Sequence, residues 1–352
     1  MRYAKVTIGL LCVMSAGSAW AGPVVREASG PTPASIQAVV DQFRADLGGP
    51  NNGITAGSQP GGRREINWDG GGPAAPPTFD ASPMLRFAAR GATFLTSGTG
   101  FETSAATGPV EFSDINASYN ALFAPFSSPR IFTALHTNEM DVVFNVPGNA
   151  AVPAGVTGFG VVFTGVGSVT STRLQFFAPD GALLFERAVP AASGNETQSF
   201  LGVSFDRGEI VGRVRIVSGN AALGPDETGT IDLVAMDDFI YGEPVSTDGL
   251  VIAPPSGSIF QIGGFDLVIG VDAAPAPLTG GLVTFDGLDV TQGVVACFRP
   301  GRLKRGGTTF NCQVPRGLLT EGEHVVRVVV TFADQTSRRT AVRWTVLGAS
   351  QH

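Results

Sequence analysis

The sequence predicts an all-β protein with a jelly-roll-like β-sandwich that is preceded by a short helix and followed by an immunoglobulin-like β-sandwich. Short apolar or alternating runs recur along the chain, separated by turn-forming residues among 47 glycines and 24 prolines in 352 residues. Long helical patterns between these runs are missing, which argues against a parallel α/β sheet. Only one segment repeats its apolar residues at helical spacing.

Residues 1–21 have the pattern of a secretory signal peptide. Arg2 and Lys5 provide a positive start, a short apolar stretch follows, and Ala19–Ala21 has the small residues of a cleavage site. The apolar stretch is shorter than the roughly 20 residues of a membrane anchor. Cys12 lies within it and would leave with the peptide. We therefore expect a secreted or periplasmic protein.

The charge of the chain disfavours two classes of partner. The formal net charge is −7, and loss of the signal peptide would remove two basic residues and no acidic ones. A protein this acidic is a poor binder of nucleic acid or anionic lipid. No later stretch is apolar for long enough to cross a bilayer. The expected partners are glycans or cell-surface proteins.

Four regions follow one another in the predicted organisation. After the signal peptide, residues 22–62 form a lead-in, residues 63–243 the jelly-roll-like sandwich and residues 249–348 the immunoglobulin-like sandwich. Residues 243–248 have the composition of a linker. About 100 residues with some seven short strands are typical of an immunoglobulin-like module.

The predicted helix lies in the lead-in. Residues 22–32 look flexible, Thr32 can cap the helix, and Pro33 suits its first turn. Gly48 and Gly49 would end it. The apolar residues at helical spacing are Ile36, Val39, Val40, Phe43 and Leu47.

Cys297 and Cys312 are predicted to form a disulfide, since an even pair in an oxidising compartment favours one. Their flanks read as two strands joined by a turn near Lys304, and folding that hairpin symmetrically places the cysteines opposite each other. Closing a loop of about 15 residues stabilises by ~3 kcal/mol in the entropy model. A two-thiolate metal site lacks the other ligands.

Basic side chains cluster at the tip of this hairpin. They could contact an anionic polysaccharide or lipid headgroups, but a solvated hairpin end that discourages edge-to-edge pairing is the preferred interpretation. The residues are Arg299, Arg302, Lys304 and Arg305.

Asp237 and Asp238 are the candidate metal-binding pair. Alternation along a strand puts one of the two carboxylates beside apolar neighbours, where it needs a cation or several hydrogen-bond donors. Calcium suits carboxylate and carbonyl oxygens, so a structural Ca²⁺ is the candidate cofactor. The alternative is a solvated pair, or one paired with an arginine such as Arg63 or Arg64. Residues that could complete a calcium shell are Asn67, Asp69, Asn138, Glu139 and Asp141.

The sequence contains few motifs that are typical of enzymes. The sequence contains no His-Glu-x-x-His, no Gly-x-Ser-x-Gly and no P-loop. His136 lies near acidic residues and could serve a metal or an acid–base step, but a structural role is preferred; the other histidines of the mature chain are His324 and His352. We expect no catalytic residues, although a carboxylate pair of the glycoside hydrolase type stays open.

Trp68 and Tyr119 are the candidate ligand-binding residues. Carbohydrate-binding modules usually stack sugars on exposed Trp and Tyr, and the mature chain has few of either. Trp344 alternates with Val342 and Val346, which is typical of a core residue. Trp68 could equally fill the core at the end of a strand.

Two sets of motifs carry a resemblance. GRREINWDG (62–70) and MDDFIYGE (236–243), with GTGF, FTALHTNEMDVVF, GFGVVF and FLGVSFD between them, resemble a family of uncharacterised secreted bacterial β-sandwich proteins. FDGLDVT, LLTEGEHVVRV and WTVL resemble bacterial immunoglobulin-like domains. MDDF is also similar to a strand of extracellular sandwich domains in which an aspartate helps to hold a structural calcium.

These observations together predict a secreted, non-catalytic binding or structural protein of the bacterial envelope or exterior, with calcium as a candidate stabiliser. A carbohydrate-binding module is the first alternative, and a secreted glycan hydrolase is the second.

Overall fold

A computed structural model of the chain describes residues 23–72, 75–106, 111–179, 181–206, 209–225, 231–247, 250–253, 258–261, 266–271, 278–289, 301–302, 308–313 and 320–347. The predicted signal peptide lies outside these residues. None of the helices in the described part of the chain is long and apolar enough to span a bilayer.

In the part of the chain that the structure describes, the regular elements comprise one α-helix, two short 3₁₀ helices (Ala88–Arg90 and Ala117–Ala121) and a series of strands. In chain order they are β1 (Val24–Gly30), α1 (Pro33–Leu47), β2 (Arg63–Ile66), β3 (Thr78–Asp80), β4 (Ala92–Leu95), β5 (Gly100–Thr103), β6 (Phe132–Leu135), β7 (Glu139–Val146), β8 (Asn149–Gly155), β9 (Gly158–Thr164), β10 (Arg173–Phe177), β11 (Leu183–Ala188), β12 (Gln198–Ser204), β13 (Arg213–Val217), β14 (Ala235–Gly242), β15 (Val245–Ser246), β16 (Leu250–Ala253), β17 (Ser258–Gln261), β18 (Asp266–Val271), β19 (Leu278–Phe285), β20 (Leu288–Asp289), β21 (Gly301–Arg302), β22 (Thr308–Gln313), β23 (Gly322–Phe332) and β24 (Ser337–Leu347).

The strands form three sheets. The first sheet has the order β1-β12-β9-β14-β6-β5-β3, with β2 paired to β14. The second has the order β11-β10-β13-β7-β8-β15-β24-β23-β19-β20, with β4 paired to β7 and β17 to β24. The third has the order β16-β18-β22-β21. The predicted all-β sandwich class with one short helix is confirmed.

The main hydrophobic core lies between the first sheet and the β4, β7, β13 and β10 strands of the second. Alternation along β7 places Met140, Val142 and Phe144 inward, as expected for a strand with one buried face. Aromatic rings dominate one end of this core, where Trp68 stacks on Phe132 with ring centroids 3.7 Å apart.

Helix α1 covers one half of the outer face of the first sheet. The predicted helical spacing is confirmed, since Ile36, Val40, Phe43 and Leu47 are its buried residues. They pack on three residues of β9, β12 and β14, which are Val162, Phe200 and Ile240. Thr32 stands at the N-cap position, but its hydroxyl contacts that of Ser35 rather than a backbone N–H.

The packing of Phe43 on the sheet explains why two positions beneath it are glycine. Gly160 of β9 and Gly202 of β12 are register partners directly beneath its ring. A Cβ atom added at these positions would lie 2.8 Å and 2.7 Å from the ring, so only glycine lets the ring rest on the strands.

The flexible lead-in predicted for residues 22–32 is wrong over most of its length. Val24–Gly30 forms β1, which pairs antiparallel with Gln198–Ser204 of β12 at every residue. The sequence VVREASG did not predict a strand, because the strand with which it pairs lies far along the chain. This pairing positions the residues that lead into α1.

Residues 111–127, called the covering segment below, lie over the other half of the outer face of the first sheet. A second cluster of buried apolar residues joins this segment to β14 and to the loops before it. The cluster contains Phe112, Tyr119, Phe123, Ile131, Leu223, Leu233 and Ala235. The outer face of the first sheet is therefore closed at both ends.

The outer face of the second sheet is different. Burial alternates along β7, β10 and β13, with outward residues that are only partly covered. Its outward residues include two arginines, Arg213 and Arg215, that pair with Asp141. This face is the amphipathic side of the sandwich.

In the C-terminal part of the chain, β23 and β24 form a long antiparallel pair, and Trp344 is buried there, as its alternation predicts. β21 and β22 pair antiparallel, with Gly301 opposite Thr309. Only the backbone of Cys312 and Arg302 is described. The disulfide and the basic hairpin tip stay predictions, because Cys297, Arg299, Lys304 and Arg305 lie outside the described residues.

Candidate functional site

The predicted aspartate pair lies at a β-bulge. β14 pairs with β9 on both sides of it, but the register shifts between Met236 and Phe239. Asp237 and Asp238 therefore oppose one residue of β9, Val162. Strict alternation predicted one carboxylate on each face of the sheet. The bulge instead allows both side chains to be buried, with exposed fractions of 0% for Asp237 and 4% for Asp238.

Asp237 anchors the covering segment. Its Oδ2 accepts hydrogen bonds from the backbone N–H groups of Phe126, at 2.6 Å, and Ser127, at 2.9 Å. The Ser127 hydroxyl lies 3.3 Å from its Oδ1. The indole N–H of Trp68 donates to the backbone carbonyl of Asp237 at 3.0 Å. The carboxylate thus satisfies two donors that the segment would otherwise bury unpaired.

Asp238 joins the same segment to α1. Its Oδ1 accepts from the Ser127 hydroxyl at 2.6 Å, and its Oδ2 accepts from Nη2 of Arg44 at 3.1 Å. Arg44 also donates to Glu65 of β2 at 3.0 Å through Nη2. One guanidinium from the helix therefore serves two carboxylates of the sheet.

The two arginines predicted as alternative partners lie elsewhere. Arg63 donates from Nε to Glu65 at 2.7 Å. Arg64 is fully buried and makes a two-pronged ion pair with Glu243, with distances of 2.9 Å and 2.7 Å. The positive side chain that contacts the aspartate pair is Arg44. Its position on the polar face of α1 did not predict this contact.

Asn67 and Asp69 lie next to the pair. Asp69 accepts a hydrogen bond from the Asn67 amide at 2.8 Å and another from the backbone N–H of Arg130 at 3.2 Å. Burial raises the pKa of Asp69 to about 6, and the charge of Asp238 adds to the rise against the Arg130 N–H, which lowers it. Asn67 itself is exposed.

Negative charge is in excess at this site. Burial raises the pKa of Asp237 well above its ordinary value, and the neighbouring charge of Asp238 adds to it. Burial also raises the pKa of Asp238, against the favourable effects of Ser127 and Arg44. The hydroxyl of Ser127 has one proton to share between the two carboxylates.

Both aspartates of the pair already have hydrogen-bond partners within the protein. Asp237 is occupied by backbone N–H groups and Asp238 by Arg44 and Ser127. Among the residues that the structure describes, no group of three or more His, Cys, Asp or Glu side chains is arranged to hold a metal ion. These contacts make the pair a hydrogen-bonded anchor, and calcium stays a prediction.

The other predicted shell residues lie apart from the pair. Asn138 donates its amide to the carbonyl of Gly219 at 2.9 Å, while Glu139 and Asp141 lie on β7 of the second sheet. His136 is exposed and lies 2.7 Å from the Thr99 hydroxyl through Nδ1. Asn138, Asp141 and His136 therefore make local contacts away from the aspartate pair.

Trp68 and Tyr119 are buried, so neither can offer an exposed ring to a sugar. Trp68 is 3% exposed and packs among phenylalanines of the core. Tyr119 is 0% exposed, and its hydroxyl donates to the carbonyl of Gly224 at 2.8 Å. The interpretation of Trp68 as a core residue at a strand end agrees with this burial, and the ligand-binding assignment of both residues is corrected.

Two further acids are buried at the covering segment, Glu102 beside it and Glu111 within it. Glu102 of β5 is 0% exposed, and neither of its carboxyl oxygens has a hydrogen-bond donor among the described residues. Burial and the nearby Asp114 carboxylate raise its pKa to about 8. Burial and the charge of Glu196 raise the pKa of Glu111 to about 7.

A groove crosses the outer face of the second sheet. It has a volume of about 840 Å³, within the usual range for ligand pockets. Thr93, Val143 and Arg213 form one row across β4, β7 and β13 beneath it. Its lining residues are Pro83, Leu85, Thr93, Val143, Phe144, Asn145, Ala150, Pro153, Ala154, Ala178, Pro179, Gly181, Gly212, Arg213, Thr247 and Thr340.

Some of the site features that sequence reasoning missed had a partial signal in the sequence. Two successive aspartates in an apolar strand are themselves a sign of a bulge, since alternation cannot bury both. Nothing local marked Ser127, which is 110 residues from Asp237 along the chain. Arg213 stood in an alternating strand, but the groove that it lines depends on loops from distant parts of the chain.

No protein-family model and no curated protein matches the chain. Among solved structures, the fibronectin(III)-like modules of Clostridium thermocellum CbhA match at 11% identity over 28% of this chain and 98% of theirs, with a TM-score of 0.20. The adhesin domain of Epf from Streptococcus pyogenes matches at 7% identity over 78% of this chain and 85% of its own, with a TM-score of 0.18. Function therefore has to be inferred from the chain's own residues.

Proposed function

We propose that the protein is an exported, non-catalytic binding protein that holds an extended glycan in the groove on the outer face of the second sheet. The observation that carries this proposal is the groove itself. It lies on the broad sheet face that neither α1 nor the covering segment closes.

The chemistry of the groove suits a sugar chain. Leucine, valine, alanine and proline side chains give it an apolar surface, and threonine hydroxyls add neutral polar groups. Sugars offer both C–H faces and hydroxyl groups, so they match a surface of this mixed kind. Leu85, at 52% exposure, is a large apolar side chain that a ligand could cover.

The lining supports binding rather than catalysis. Among the residues that the structure describes, the lining includes no aspartate, glutamate, histidine or cysteine, whereas glycoside hydrolysis generally needs two carboxylic groups on either side of the bond. A neighbouring cleft does contain Glu139 and Asp141. Asp141, however, is held by Arg213 and Arg215, which favours a structural role for it.

The extracytoplasmic location in this proposal comes from the N-terminal sequence. A cleaved peptide over residues 1–21 would deliver the chain to a compartment where envelope and extracellular glycans are present. Cell-surface proteins are the alternative partners, and they could use the same sheet face.

The test is binding of the mature protein to an array of bacterial and plant polysaccharides, followed by titration of the hits. Leu85→Asp should weaken binding by tenfold or more because it places a charge in the apolar part of the groove. Val169→Asp is the matched control, because Val169 is 67% exposed and precedes β10, whereas the groove lies beyond its other end.

Binding that both variants retain would place the ligand elsewhere on the molecule. A correctly folded wild-type protein that binds no glycan at all would contradict the proposed function. Product release during incubation with a bound glycan would support the hydrolase alternative instead.

A further inference from the structure

We propose that Arg213 makes the groove selective for acidic glycans, by binding a carboxylate or sulfate group of the chain. The inference rests on the proposed function, because it names the ligand class of the same groove. It follows from the charge, the fixed position and the unused donors of this one side chain.

Among the described residues that line the groove, Arg213 is the one that carries a charge. The chain as a whole has a formal net charge of −7. That net charge works against anions in general, so the guanidinium marks the place in the groove where an acidic group would be favoured. Charge complementarity of this kind selects among ligands more than it raises affinity for all of them.

The guanidinium is held in place before any ligand arrives. Its carbon lies 3.8 Å from the centroid of the Phe177 ring on β10. Its Nη1 donates to Oδ1 of Asp141 on β7 at 3.1 Å. Contacts to the strands on both sides restrict the side chain, so less conformational entropy is lost when it binds an anion.

Most donors of Arg213 remain available. Among the described residues, the bond to Asp141 is its single hydrogen bond, which leaves Nε and Nη2 to donate elsewhere. The Asp141 charge is shared, since Arg215 donates to both of its oxygens at 2.9 Å and 3.0 Å. Arg215 therefore shares the Asp141 carboxylate with Arg213, while the charge of Glu139 also acts on Arg215. Arginine suits two-pronged binding of an oxyanion.

The experiment compares matched pairs of polysaccharides that differ in their acidic groups. Polygalacturonate and its methyl-esterified form report on a carboxylate, and dextran sulfate and dextran report on a sulfate. We expect the wild-type protein to bind at least one acidic member about tenfold or more tightly than its neutral counterpart. The preference should shrink as the salt concentration rises.

Arg213→Gln should remove the preference, so that the acidic and the neutral member bind with similar affinity. Arg213→Lys should keep part of it, because lysine keeps the charge but not the fork of donors. Arg215→Gln is the matched control, since Arg215 shares the Asp141 partner and the strand but does not line the groove. It should retain the full preference.

A preference that survives in Arg213→Gln, or that Arg215→Gln removes equally, would overturn the inference. A wild-type protein that binds neutral and acidic members alike would also overturn it, while the proposed function would stand. Absence of binding to every polysaccharide would instead contradict the proposed function, and the inference with it.

Discussion

The two outer faces of the N-terminal sandwich differ in where their charged residues lie: buried on one face and at the surface on the other. The first sheet is covered by α1 and the covering segment, and acidic residues such as Asp237 and Glu102 are buried beneath them. The second sheet keeps one face open, and its charged residues, such as Arg213 and Asp141, pair at the surface. Both sheets share the same core, so the difference arises from what the chain places outside it.

The comparison separates structural charge from charge that a ligand can reach. Among the described residues, the buried carboxylate of Asp237 binds backbone donors, whereas that of Glu102 has no donor. On the open face, the guanidinium of Arg213 makes one hydrogen bond among the described residues, which is the bond to Asp141. Buried acids are therefore expected to control stability, and the open arginine to control binding.

Removing the ring of Phe43, which packs α1 on the first sheet, should have the largest effect on stability. Phe43→Ala leaves a cavity over Gly160 and Gly202, and we expect the free energy of unfolding to fall by about 3–5 kcal/mol. Urea denaturation measures this free energy. Gln42→Ala, at an exposed position of the same helix, should change stability by less than about 0.5 kcal/mol. Equal small losses in both variants would show that α1 does not hold the covered face.

The buried acids should make the covered face sensitive to pH. Folding raises the pKa of Glu102 to about 8 and that of Glu111 to about 7, above their ordinary value of 4.5. Their contribution to stability is complete below pH 4.5 and is lost as the pH rises through about 7 and 8. We therefore expect thermal unfolding at a lower temperature at pH 9 than at pH 6.

Glu102→Gln should remove part of this loss because the amide resembles the protonated acid. At pH 9 the variant should exceed the wild type by about 1–3 kcal/mol, the usual cost of a buried unsatisfied polar group. At pH 5 the two should agree. Glu139→Gln, on the open face, serves as the control and should match the wild type at both values. A variant no more stable than the wild type at pH 9 would contradict this account of Glu102.

Calcium should have the smallest effect. A cation held at Asp69 and Asp238 would stabilise the protein by about 2.7 kcal/mol at 100 times its dissociation constant. Because Arg44 and Ser127 already meet Asp238, we expect thermal unfolding to be the same with excess calcium and with a chelator. A calcium-dependent rise that Asp238→Asn abolishes would replace the hydrogen-bonded anchor with a cation site.

The sequence by itself determined the elements whose signal is local. Apolar spacing located α1 with its buried residues, and alternation located strands such as β7 and the core position of Trp344. These patterns depend on the periods of helix and strand, which neighbouring residues alone define. The all-β class followed from the same patterns.

Only the tertiary structure decided which faces are covered. β1, the bulge at Asp237 and the burial of Trp68 and Tyr119 depend on contacts between residues distant along the chain. A carboxylate in an apolar strand predicts a need for partners but does not name them, and here Arg44 and Ser127 fill that need. The groove beside Arg213 likewise exists because separate loops meet over one sheet face, and burial is a property of that assembly rather than of any local sequence.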